Sequence, residues 1–126
     1  MSFVHLHLVL THFPTVLTLV ALVAAASALV VRKRRGELLQ LTLLLMVVTG
    51  AMMPAIYFAG VRTADAIGKV EGIQQEAIGP HQHAATIALS ICMAVALVAL
   101  GLIIVQGVVL EMLTTGLLRI IRGRER

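Results

Sequence analysis

The chain has 126 residues, of which 60% are hydrophobic and 13% charged, and its mean hydropathy is +1.01. A soluble domain of this length has too little interior to hide so much apolar surface, so lipid is the expected solvent. The net charge of +4 does not point to nucleic acid: eight of the ten basic residues fall in two blocks that flank apolar runs, with no aromatic platform among them.

In chain order, the first predicted span covers about residues 8–31. At 1.5 Å per residue it reaches roughly 36 Å, enough to cross a bilayer. Pro14 is tolerated in a first helical turn and kinks a helix that begins earlier, near Val4. The stretch has no basic leader of the kind that precedes a cleaved signal, so it is expected to be retained. Arg32, Lys33, Arg34, Arg35 and Gly36 then form a tight basic turn.

A second span is predicted over about residues 38–58. Pro54, near its far end, should free a backbone carbonyl one turn back, and Tyr57 fits an interfacial anchor. Val61, Ala64, Ile67, Val70, Ile73 and Ala77 recur at helical spacing, which predicts a short amphipathic helix on the membrane surface in the 60–80 connection. The third span is predicted over about residues 84–105. Residues 107–121 are too few for another crossing, and their polar stripe of Glu111, Thr115, Arg119 and Arg122 predicts an interfacial or partner-packed C-terminal helix.

The expected fold is therefore all-α and integral to the membrane, a single domain over residues 1–126 with three crossings. Both basic blocks fall on one side. By the positive-inside rule that side is cytoplasmic, with the N-terminus outside.

All five histidines sit where apolar runs begin: His5, His7 and His12 before the first, His81 and His83 before the third. This topology brings both groups to the outer face. Imidazole there can snorkel, relay protons, ligate a metal ion or hold a haem. His5 and His12, seven residues apart, share a helix face, whereas His7 does not. His81 and His83 differ by about 200°. Beneath His81 run Ala84, Ala85, Ala88 and Cys92, a small-residue face suited to close approach by a helix or a flat macrocycle.

A non-covalent haem b between two helices needs one neutral imidazole from each, and His12 facing His81 supplies that pattern. The two are the candidate iron ligands, with His7, His83 and His5 as substitutes. Arg62 or Lys69 could pair with the propionates, although a solvated loop charge is the plainer reading of Lys69. Zinc or copper would need three or four converging ligands, for which Glu76, Met52 and Met53 are the remaining candidates. Cys92, the single cysteine, rules out an internal disulfide and c-type haem attachment and reads as a small packed residue. No phosphate loop, nucleophile elbow or mid-span charge is present in the sequence.

The stretch HLVLTHFPTVL at His7–Leu17 resembles the H-P-x-x-V-H-F-P opening of the DUF2231 family of bacterial membrane proteins. The connection and third-span start, GVRTADAIGKVEGIQQEAIGPHQHAATIAL at Gly60–Leu89, is similar to that family's acidic helical loop followed by H-E-x-A. The resemblance covers roughly residues 5–105 and puts His7, His12 and His81 on the family's histidine positions, with His5 and His83 additional. It implies a four-span bundle, one more than predicted here. Some members are joined to Rieske-type iron–sulfur domains, which implies redox chemistry.

Two functional expectations follow. One is a b-type cytochrome subunit, non-catalytic itself, passing electrons near the outer face to membrane or periplasmic redox partners or within a homo-oligomer. The other is a non-redox anchor or assembly subunit, whose histidines are interfacial or hold a divalent metal.

Overall fold

The computed structural model describes residues 3–67, 76 and 78–124; the side chains of 3–7, 66–67, 118–119 and 121–124 fall outside that description. Among the described residues the chain is all-helical. Helix α1 spans Phe3–Val30, α2 spans Arg35–Ile67 and α3 spans Ile78–Arg124. All three are long and apolar enough to cross a membrane.

The turn between α1 and α2 forms because Val31 leaves helical geometry, with φ −91° and ψ 77°. Its N–H still donates to the Ser27 carbonyl at 2.8 Å, and its carbonyl accepts from the Arg34 N–H at 3.1 Å. The result is one tight 3-10 turn over Arg32–Arg34 that reverses the chain.

Helix α2 is the centre of the array. Both α1 and α3 pack against it and, among the described residues, not against each other. The packed surfaces are made of small side chains. Among the described side chains, Ala21, Ala24 and Ala28 are the buried residues of α1, while Ala96 and Ala99 are those of α3. Their spacing alternates between three and four residues, the period that keeps one narrow seam facing a neighbouring helix. On α2 the buried positions include Thr49, Gly50, Ile56, Ala59 and Thr63. Thr49 and Thr63 satisfy their hydroxyls on the carbonyls of Leu45 and Ala59, both at 2.8 Å. Their burial therefore leaves no orphan hydroxyl donor.

Two contacts set how the helices slide along one another. Thr42 Oγ1 donates to Leu38 O at 2.9 Å and reaches Ala21 O on α1 at 3.4 Å. Gly50 lies so close to α3 that a Cβ added there would overlap the Ala96 methyl and stand 3.0 Å from the Cys92 carbonyl oxygen. Higher up, Tyr57 Oη lies 3.3 Å from Thr86 Oγ1, and its ring meets Phe58 edge-on.

Several element boundaries differ from those predicted. Helix α1 begins at Phe3, so Pro14 lies well inside it. Its missing N–H leaves the Leu10 carbonyl without the usual partner. Residues 61–67 continue α2 rather than starting a separate surface helix; 68–75 and 77 lie outside the described residues. The C-terminal segment is likewise no separate helix. Helix α3 runs unbroken through Gln106 and Gly107 for 47 residues, about 70 Å. A lone glycine costs a helix only about 1 kcal/mol and removes no backbone donor, so neither residue ends it.

Candidate functional site

His12 stands nine residues before Ala21, about two and a half helical turns. It therefore faces away from α2, and its ring is exposed. Nδ1 lies 2.7 Å from the Leu8 carbonyl oxygen. A carbonyl can only accept, so the contact assigns the proton to Nδ1. In the neutral ring Nε2 then keeps its lone pair, the tautomer a metal-ligating histidine adopts when its other nitrogen is held by a backbone carbonyl. The Leu8 carbonyl also accepts from Thr11 Oγ1 at 2.9 Å.

His81 and His83 flank the half-buried Gln82, and both are exposed. Gln82 continues the seam that runs through Ala85, Leu89 and Cys92 to Ala96. The two histidines thus lie on either side of the α2-facing stripe, about 100° from it. Of the small face expected beneath His81, Ala85 and Cys92 are half-buried toward α2, whereas Ala84 and Ala88 are exposed.

The register contacts locate these groups along the helix axes. Moving from Thr42 and Ala21 up the antiparallel pair brings His12 level with Ala51. Gly50 lies beside Cys92–Ala96, so His12 is level with about Cys92 or Met93 on α3. His81 is level with Arg62 instead. His12 and His81 are thus separated by about 16 Å along the axis, and α2 is the only helix that both α1 and α3 touch. The two are not brought together across a narrow slot. Helix geometry puts the backbones of His5 and His7 nearer the Arg62 level, about 11 and 8 Å above His12; their side chains lie outside the described residues, as does Lys69.

Arg62 and Glu76 are exposed. Met52 and Met53 are half-buried at the level of His12, but on the central helix, while the His12 ring faces the other way. Among the described residues, no three His, Cys, Asp or Glu side chains converge where an ion could sit. A zinc or copper centre built from this chain alone therefore finds no ligand set among them.

The charges bracket an uncharged slab. On α2 it runs from Glu37 up to Arg62, and on α3 from Glu111 up to His83. In register, Arg35 is level with about Val109, and Arg62 with His81–His83. The bracket from Arg35 to Arg62 is about 40 Å high, and His12 lies roughly 16 Å below its upper edge. Sequence reading did not anticipate the contacts that set this register, Gly50 on Ala96 and Thr42 on Ala21. The small Thr49–Gly50–Ala51 run is a visible signal of the first contact only.

No family model matches the chain, and no curated protein or solved structure is found to be similar to it.

Proposed function

We propose that the chain is a membrane-embedded subunit of a larger assembly, crossing a bacterial inner membrane three times with its N-terminus outside. The 40 Å slab equals a bilayer with its headgroup regions. The position of Arg32–Arg35 and of the C-terminal arginines on one side supports a cytoplasmic lower edge. The observation that carries the reading is the overshoot of α3. It continues about 22 Å past the level of Arg35, with Leu110, Met112, Leu113, Leu117 and Ile120 more than 60% exposed. Lipid tails cover apolar faces inside the slab, but not beyond it. An apolar helix face outside the hydrocarbon is stable when another protein covers it.

The test is a Leu113→Asp, Leu117→Asp double variant expressed in the native membrane. Both variant and wild type should resist alkaline extraction. Native particles released into nanodiscs should carry the wild-type chain at well above its 13.4 kDa mass, and the variant should be lost from them. A wild-type chain found alone contradicts the reading.

A second reading, a b-type cytochrome subunit, is favoured by one specific observation. His12 lies within the slab, holds its Nδ1 proton on Leu8 O and so keeps the lone pair of Nε2 for a ligand. An ionisable residue at such depth marks a functional site by default. The redox association of the DUF2231 resemblance supports the same reading. A bound haem would supply one-electron chemistry; the chain's part is to ligate the iron, exclude water and, through Leu8, fix the imidazole. Sharp reduced bands from purified protein would support it, and their absence from protein supplied with hemin would contradict it.

A further inference from the structure

We propose that the turn joining α1 and α2 binds the phosphate of an anionic phospholipid between the guanidinium groups of Arg32 and Arg35. The inference rests on the membrane-embedded reading, which sets this turn among headgroups, and adds a specific lipid contact to it.

The sequence places four cations in a row, Arg32, Lys33, Arg34 and Arg35, and all four are exposed. What such a run can hold depends on where the backbone directs it. Here the backbone is fixed. Arg32–Arg34 form a 3-10 turn, closed by Arg34 N–H on the Val31 carbonyl at 3.1 Å and by Arg35 N–H on the Arg32 carbonyl. A 3-10 turn has about three residues per revolution and rises about 2 Å per residue. Arg35 therefore eclipses Arg32, about 6 Å along the turn axis. Lys33 and Arg34 leave on the two remaining sides, about 120° to either hand.

Two like charges at that spacing repel unless an anion lies between them. The chain supplies none. Glu37, the nearest acidic residue in sequence, stands three residues from Arg34 and four from Lys33, the spacings at which helical side chains meet. It stands two residues from Arg35 and five from Arg32, so it lies toward the other side of the turn. Among the described residues no carboxylate pairs with either arginine. Orientation in a membrane depends on the number of positive charges and is indifferent to how they are stacked, so topology alone leaves this pairing unexplained.

The pair suits one chemistry. Each planar guanidinium can donate two parallel N–H bonds to phosphate oxygens, and a stacked pair can take oxygens of one phosphate from two directions. The turn stands at the lower edge of the uncharged slab, where lipid phosphates lie. A zwitterionic lipid would bring its own ammonium into a patch that already carries four positive charges, whereas an anionic lipid brings none. The occupant is therefore an anionic lipid, and free phosphate is the competing source of the same oxyanion.

The experiment reconstitutes the full chain into nanodiscs of equal parts phosphatidylglycerol and phosphatidylcholine. Lipid retained on the released protein is counted by native mass spectrometry. Nanodiscs present both leaflets, so the direction of insertion does not enter. Wild type should retain one phosphatidylglycerol in preference to phosphatidylcholine by about tenfold. Arg32→Gln with Arg35→Gln should abolish that preference. Lys33→Gln with Arg34→Gln removes the same charge and should keep the preference within about twofold. Arg32→Lys with Arg35→Lys keeps the charge but not the planar fork, and should lower the preference about threefold. All four side chains are exposed, so their replacement opens no cavity; far-ultraviolet dichroism checks that the helices persist. Equal losses from the two glutamine pairs, or no loss from the lysine pair, overturn the proposal in favour of diffuse attraction. Displacement of the lipid by millimolar inorganic phosphate overturns the lipid as occupant. A chain that enters nanodiscs of neither lipid removes the membrane-embedded reading itself.

Discussion

Gly50→Ala puts a methyl group where α2 and α3 meet backbone to backbone. The added carbon overlaps the Ala96 Cβ and stands 3.0 Å from the Cys92 carbonyl oxygen. Neither neighbour is the flexible end of a long side chain, so the helices must move apart. Overpacking of this kind costs about 1–3 kcal/mol, and the upper half of that range applies because no rotamer relieves it. Alanine also gains up to about 1 kcal/mol of helix propensity over glycine. Gly101→Ala isolates that gain, because a methyl there meets nothing within 4 Å. The measurement is denaturation in mixed micelles followed by pulse-labelling of Cys92, the half-buried single thiol on the affected face of α3. Gly50→Ala should fall about 2–3 kcal/mol below Gly101→Ala, and Ala96→Gly in the same chain should restore most of the loss. If the two alanine variants unfold within about 0.5 kcal/mol of each other, α2 and α3 do not meet at Gly50 and the register drawn from it is wrong.

Thr42→Val removes the hydroxyl that reaches from α2 to the Ala21 carbonyl at 3.4 Å; the same unfolding assay should show a loss of about 0.6 kcal/mol, typical of such bonds in membranes. Tyr57→Phe keeps the edge-on ring contact with Phe58 and loses only the 3.3 Å link to Thr86. Its stability should change by less than about 0.5 kcal/mol. Neutralising Arg32, Lys33, Arg34 and Arg35 together should produce molecules of mixed orientation, read from a C-terminal reporter active on only one side of the membrane.

The all-α class and the number of membrane-length helices were legible because long uncharged runs admit few alternatives in lipid, and the Arg32–Arg35 turn is visible as a charge block. The ends of the helices were not. Gln106 and Gly107 read as a boundary, yet neither residue removes a backbone donor, and α3 passes through both. Val61–Ile67 carries a surface-helix pattern, yet it is continuous with α2 because no residue there breaks the ladder. The separation of His12 from His81 was hidden for a different reason. Both stand near the start of apolar runs, but depth is set by how helices slide along one another. That sliding is fixed by Gly50 fitting against Ala96 and by Thr42 reaching Ala21. Such fits depend on two distant segments at once and leave no periodicity in either.

Topology tests the account most directly. Single cysteines at Ser2, Gln74, Arg34 and Arg126, in a Cys92→Ala background, can be probed with a membrane-impermeant maleimide on intact cells and on inverted vesicles. Ser2 and Gln74 should label only from outside, and Arg34 and Arg126 only from the cytoplasmic side. Labelling of all four positions from one side would contradict three crossings, and with them the depth assigned to His12.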